Sequence, residues 1–250
     1  HTAGYTWRPR ASPLVSFGPG LTEEVVWNRQ GRVRDWSATP YFEFGMRRAT
    51  FFQAGFMRGF ELYRDIGFRK RGAYAAFRTQ WYRWLALTLQ YSASRGINYY
   101  PAAGLPPFPG RSSAIYGSLT LHATKRLRFD ETYNYSRLEA PREWLPDPSI
   151  APGVAFVNHI IRSKASYQFT REFSLRAIVD YNAVLANPSL VATERSKKAG
   201  VDILFTYLLH PGTAVYLGYT NTRENLAFNP ALSPSVWRTT GPDTMTGRQF

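Results

Sequence analysis

Apolar and polar residues alternate along most of this chain, and the alternation breaks at short, regularly placed turns. In one stretch Ala165, Tyr167 and Phe169 precede Thr170-Arg171-Glu172, and Phe173, Leu175, Ala177, Val179 and Tyr181 follow. The positions between them hold Lys164, Ser166 and Gln168, then Ser174, Arg176, Asp180 and Asn182. A period of two puts successive side chains on opposite faces of a strand. The stretch therefore predicts a hairpin with one apolar, partly aromatic face and one polar, charged face.

The same pattern recurs from end to end. Short turns are expected at 46–50, 81–84, 123–126, 170–172 and 210–212. Long connections are expected at 62–70, 96–110, 139–155, 186–194 and 223–246, and Pro and Gly, which break ladders, crowd the second and third of these. Gln30-Gly31 reads as a tight hairpin on the long-connection side. Short and long connections thus alternate, as in a chain that runs up and down with its long loops at one end. About twelve strands are expected, with the last interrupted at Arg248-Gln249-Phe250.

This pattern predicts an all-β protein, and the choice lies between a soluble sandwich and an antiparallel up-and-down transmembrane β-barrel. In a barrel the polar face lines the lumen and the apolar face meets lipid. The apolar runs at 84–89 and 203–209 are far too short for a membrane helix, but a tilted barrel strand needs only about 9–11 residues. Many segments exceed the usual soluble strand of about 5–6 residues. Aromatics make up 16% of the chain and gather near the short turns. A lipid-facing set with an aromatic girdle is expected at Phe42, Phe44, Phe52, Trp81, Trp84, Phe129, Tyr167, Phe169, Phe173, Phe205 and Tyr207. The barrel is the reading that fits, with residues 1–250 forming a single barrel portion in a bacterial outer membrane.

The formal charge of +14 is carried mainly by arginine, since the lysines are only Lys70, Lys125, Lys164, Lys197 and Lys198. The basic residues fall on alternate strand positions rather than in one segment. That favours a lined lumen over a nucleic-acid patch, and no nucleic-acid partner is expected. The expected lumen-lining bases are Arg78, Arg126, Arg128, Arg162, Lys164, Arg176 and Lys198, with Asp130, Asp180 and Asp202 as their acidic partners.

Several segments resemble one family. These are the run from Arg162 to Arg176 continuing to Asp180-Tyr181-Asn182, the run from Asp202 to Ala214, and Tyr216-Leu217-Gly218-Tyr219-Thr220. Asn98-Tyr99-Tyr100-Pro101 and Arg128-Phe129-Asp130-Glu131-Thr132-Tyr133 add to them. They are similar to the C-terminal barrel of the DUF5916 family of bacterial outer-membrane proteins. The resemblance implies a location and an architecture: a long barrel that usually follows a domain similar to family 9 carbohydrate-binding modules. It further implies that this chain is the C-terminal part of a larger protein whose last strand is incomplete at Phe250. It implies little about mechanism.

Candidate chemistry is sparse. The four histidines are His1, His122, His159 and His210, and none sits at metal-ligand spacing from another ligand. No metal and no cofactor is expected. His159, Ser163 and Asp180 are of the right types for a triad, but Asp180 falls on the opposite face parity from the other two. Asp35, Glu43, Asp130, Glu131 and Asp202 could suggest paired carboxylates for glycoside hydrolysis. Abundant arginine on the same faces favours ion pairing instead. An enzyme is not the expected reading. The first functional expectation is a channel or transport pore for small, anionic or saccharide solutes. The alternatives are an anchoring barrel subunit that holds a carbohydrate-binding-like domain or a partner complex, and a membrane-embedded hydrolase. Expected partners are outer-membrane lipid and either other protein subunits or a preceding region of the same protein. The loop beginning at Pro101 is long enough to fold inward over a lumen.

Overall fold

β-branched and aromatic residues alternating with Ser, Thr, Gln and Arg fit a pleated surface whose two faces meet different surroundings. The computed structural model of the chain, which describes residues 1–250 except Ala11, Pro211, 229–232, Ser235 and Phe250, has strands wherever that alternation runs. In order these are β1 (Thr2–Gly4), β2 (Leu14–Trp27), β3 (Val33–Met46), β4 (Thr50–Tyr63), β5 (Ile66–Tyr82), β6 (Leu85–Asn98), β7 (Phe108–His122) and β8 (Leu127–Ala140). After a short 3-10 helix (Arg142–Trp144) come β9 (Gly153–Gln168), β10 (Phe173–Ala186), β11 (Ser196–His210) and β12 (Thr213–Glu224). Last are β13 (Leu226–Phe228), β14 (Val236–Arg238) and β15 (Thr244–Gln249). The expected end of the final strand at Phe250 and the Pro211 position of the last short turn lie outside the described residues.

The protein is all-β, and every pairing in its main sheet is antiparallel between neighbours. Thirteen strands run in the order β1 to β12 and then β15, while β13 and β14 form a separate two-stranded hairpin inside the last connection. Among the described strands the sheet does not close: β1 and β15 are its two edges and do not pair with each other. A closed barrel is therefore not formed by these strands alone.

Local chemistry sets the turns. Thr124 Oγ1 accepts the Arg126 and Leu127 amides, and Thr170 Oγ1 accepts the Glu172 and Phe173 amides. One hydroxyl in each case replaces ladder partners that the turn removes. Arg48 and Ala49 both have positive φ (56° and 49°), the conformation of a two-residue hairpin whose twist matches its strands.

On the long side one connection differs from expectation, and the tight turn expected at Gln30-Gly31 is present. No long loop exists at 62–70: Tyr63 pairs with Ile66 across a tight turn in which Arg64 and Asp65 take φ of 49° and 62°. The sequence concealed this turn because neither central residue is the glycine that usually marks it. Between β2 and β3 the turn is also tight, with Asn28 Oδ1 accepting the Gln30 and Arg32 amides. The long connections are thus confined to 99–107, 141–152, 187–195 and 225–243.

Register keeps the two faces distinct across many strands. One row runs Phe44, Phe52, Phe77, Leu89, Gly117, Tyr133, Ile161 and Tyr181 from β3 to β10. On the opposite face a row runs Glu43, Gln53, Ala76, Gln90, Tyr116, Asn134, Ile160, Asn182 and Lys198. Aromatic stacks on the apolar face lie near the short turns. Phe42 and Phe44 have ring centroids 5.0 Å apart, Phe169 and Phe173 4.8 Å, and Phe173 and Phe205 6.1 Å. Such ring pairs add about 0.5–1.5 kcal/mol each beyond simple burial.

The buried core is small and sits at the long-connection end of the polar face. Phe108, Leu138, Ala140 and Ala186 from the strands pack with Leu190 and Val191 from the 187–195 connection. Gly110 makes room for this cluster. A Cβ there would stand 2.7 Å from the Glu139 carbonyl oxygen and 2.8 Å from Leu138 Cδ1. Gly110→Ala is expected to destabilise this end by about 1–3 kcal/mol, read as a lower thermal midpoint by circular dichroism. An unchanged midpoint would show that β7 and β8 are free to separate here.

Candidate functional site

The polar face carries charged and hydrogen-bonding side chains along its whole height, and it is hollow. Its middle is a recess of about 720 Å³ spanning β4 to β9, lined among others by Gln53, Tyr74, Gln90, Tyr116, Asn134 and Asn158. Side chains from one face of six adjacent strands can line one recess only if the sheet curves around that face. The recess carries no formal charge, and the Tyr74 hydroxyl donates to Gln53 Oε1 at 3.1 Å. Amides, hydroxyls and phenol rings of this kind suit neutral polyhydroxylated solutes as well as water.

Toward the short turns the same face becomes basic. A second recess of about 430 Å³ is lined by Arg126, Arg128, Lys164 and Arg176 with Ser166 and Thr206, and no carboxylate lines it among the described residues. Register explains the convergence: Arg128 pairs with Ser166, and Ser166 with Arg176, so a small residue lies between two guanidinium groups. Asp130 borders the recess. Its Oδ1 accepts from Arg128 Nη2 at 2.8 Å and Thr120 Oγ1 at 2.8 Å, and its Oδ2 lies 3.9 Å from Lys164 Nζ. One carboxylate cannot neutralise the bases around it, so the recess keeps an excess of positive charge.

The expected basic and acidic residues are thus brought onto one face, though not all as pairs. Arg162 and Asp180 lie 3.6 Å apart. Lys198 pairs not with Asp202 but with Glu224, at 3.5 Å. Asp202 falls between Ile178 and Thr220 in the register and has no ion pair among the described residues. Arg78 is exposed, with its guanidinium 6.0 Å from the Phe51 ring. Sequence reading missed Glu224 because it was assigned to a loop, whereas β12 extends through it.

At the end of β3 to β6 away from the short turns the face carries the carboxylates Asp35 and Glu61. Glu61 accepts from Lys70 Nζ and from the Tyr99 hydroxyl, each at 2.7 Å. Burial, reinforced by the Glu61 carboxylate, pushes the Tyr99 phenol well above its usual range. In the exposed 141–152 connection the Ser149 amide and hydroxyl hold the Asp147 carboxyl below its usual range.

Three long connections fold over this end of the hollow. Pro101 forms a β-bridge with Val191, the Ala102 amide donates to the Leu190 carbonyl at 3.2 Å, and the Ala192 amide donates to the Tyr100 carbonyl at 3.0 Å. Buried Asn98 donates Nδ2 to the Leu190 carbonyl at 2.8 Å. Leu105, Leu145 and Ile150 pack against the cluster beneath. The loop beginning at Pro101 therefore does fold inward, held by backbone bonds to its neighbour.

No triad assembles. His159 lies on the apolar face, with Nδ1 2.9 Å from the Tyr133 hydroxyl, while Asp180 is on the opposite face with Arg162. Glu131 shares the apolar parity and so does not meet Asp130 across a cleft. Among the described residues no three His, Cys, Asp or Glu side chains come together as metal ligands would. The chain matches no family model, and no curated protein shows significant similarity to it.

Leu190 is fully buried in the cap. Leu190→Ala is expected to weaken the cap by about 2–5 kcal/mol and to speed proteolysis within 187–195 while the strands stay protected. Equal cleavage rates in parent and variant would mean that the cap opens without disturbing that cluster.

Proposed function

We propose that this chain is part of an outer-membrane β-barrel whose polar face lines a passage for small, anionic or saccharide solutes. The observation that carries the reading is the exposed apolar face. Leu89 is 45% exposed, Val179 47% and Leu217 66%, all on strands of 12 or 14 residues. An apolar surface this continuous is far larger than water tolerates on a monomer, and it requires a cover. Strand length, a face parity kept from strand to strand and ring stacks near the short turns all favour lipid as that cover. Lipid also demands that no ladder edge stay open. Under this reading further strands, from a preceding region of the same protein or from other subunits, complete the sheet between β1 and β15.

The resemblance to the DUF5916 barrels supports the same location and a carbohydrate-binding-like companion domain. Basic rings lining a pore bias it toward anions, and the recess at Arg126, Arg128, Lys164 and Arg176 would supply that bias. No cofactor and no catalytic step enters the reading.

The cap favours a second reading. With the 99–107, 141–152 and 187–195 connections folded over one end of the hollow, the barrel serves as an anchor for another domain or complex rather than as an open pore. The His159, Ser163 and Asp180 set does not favour a hydrolase, because His159 and Asp180 lie on opposite faces.

Two measurements separate these readings. The first is Leu89→Arg. If the face meets lipid, the variant should lose about 2–4 kcal/mol of membrane-embedded stability and appear less in the outer-membrane fraction. If the face meets water, this exposed position should tolerate arginine almost without cost, and the membrane reading falls. The second is bilayer conductance of the full-length protein under a salt gradient. A steady anion-selective current, reduced in selectivity by Arg128→Gln with Arg176→Gln, supports the pore. A folded, membrane-inserted but silent barrel supports the anchor.

A further inference from the structure

Arginines also occupy the apolar face, and four of them share one level. Arg58 pairs directly with Arg71, Arg95 with Arg111, and Arg111 with Glu139. Continuing the register that pairs Gly72 with Ser94 places Arg71 beside Arg95. Four neighbouring strands, β4 to β7, therefore present a guanidinium in the same cross-strand row, with Arg69 and Arg137 close to it on the same face. Strands stand about 4.8 Å apart, so the row spans roughly 15 Å.

Like charges placed directly across a ladder repel, and the local carboxylates compensate only one end. Glu143 lies 3.3 Å from Arg111, and Glu139 lies 3.1 Å from Arg137. Arg95 stacks its guanidinium 4.0 Å from the Trp144 ring centre. Arg69 and Arg71 have no ion pair among the described residues, and Arg58 has only the Phe56 ring at 5.5 Å. The Nε atoms of Arg95 and Arg137 are shielded from solvent and donate to nothing among the described residues.

The row ends the wholly apolar part of this face, and two residues beyond it Phe60 pairs with Arg69 and with Trp36. Two residues nearer the short turns, the same face carries Phe56, Ala73 and Ala93; two further on it carries Ala54, Ala75, Tyr91 and Ile115. Where the apolar part and the arginines meet there is a groove of about 390 Å³ lined by Trp36, Phe56, Phe60, Arg58, Arg69 and Arg71. Its aromatic floor suits an acyl chain, and its guanidinium rim suits phosphate, which arginine binds through paired hydrogen bonds.

We propose that this arginine row is a binding surface for phosphate-bearing lipid headgroups of the leaflet on the long-connection side. It rests on the lipid-facing reading of the apolar face. The partner is lipid rather than an acidic protein because charge and apolar surface are stacked in the order of a leaflet, headgroup level above acyl level.

The test uses the full-length protein in neutral maltoside micelles, titrated with a diphosphorylated glucosamine-disaccharide lipid or with the same lipid stripped of phosphate. Phosphate-dependent binding is expected, and added salt should weaken it. Binding should be at least about tenfold weaker in the combined variant Arg58→Gln, Arg71→Gln, Arg95→Gln, Arg111→Gln. Arg171→Gln, in a turn at the opposite end, should bind like the parent. Without lipid, the combined variant should melt no lower than the parent, because repulsion has been removed. A structural role would lower the melting point instead, so this also guards against misfolding. Equal binding of both lipids, undiminished binding by the combined variant, or tighter binding of polyglutamate than of the lipid would each overturn the proposal while leaving membrane insertion intact. A protein that stays soluble without detergent overturns both this proposal and the lipid-facing reading.

Discussion

The antiparallel ladder is the constraint on which everything else in this protein depends. Each strand from β3 to β11 is paired on both sides over most of its length, and register then decides which side chains share a face. A slip of one residue would carry Phe52, Phe77 and Leu89 to the face of Gln53, Arg78 and Gln90. Turn chemistry prevents the slip: the hydroxyls of Thr124 and Thr170, the amide oxygen of Asn28 and the paired positive φ values at Arg48–Ala49 and Arg64–Asp65 each fix one hairpin. The fold needs little buried core because the ladder, not a packed interior, defines its shape. Its largest buried cluster lies where the loops meet, around Phe108 and Leu190.

Charge on the two faces is laid out by height as well as by side. On the polar face a basic recess lies near the short turns, a neutral hollow lies in the middle, and a carboxylate held by Lys70 and Tyr99 lies near the other end. On the apolar face arginine appears only toward the long-connection end, beyond a wide apolar field. In the proposed membrane setting these two gradients have different tasks, one acting on what passes along the hollow and the other on what surrounds the sheet.

The cap ties the functional readings to one mechanical element. Hydrogen bonds from Ala102 and Asn98 to the Leu190 carbonyl lock two connections together, and Leu145 and Ile150 bring in a third. These contacts are local and few compared with the ladders beneath, so the cap belongs to the part of the molecule that can open without unfolding the sheet.

The sequence by itself determined the all-β class, most strand positions and the composition of each face, because a two-residue period needs no partner to be read. It also determined the short turns, where hydroxyl-bearing or small residues interrupt the alternation. The tight turn at Arg64–Asp65 escaped it, since positive φ at residues other than glycine has no strong sequence mark. Pairing of charges escaped it as well: Lys198 meets Glu224 rather than Asp202 because register, not spacing along the chain, sets cross-strand neighbours. The same holds for Arg58, Arg71, Arg95 and Arg111, which lie far apart in sequence and look like isolated surface residues. Only the tertiary structure, by aligning four strands, turned them into one row. It likewise decided that the loops fold over the polar face and that these strands leave two edges open, because both depend on contacts between segments distant in the chain.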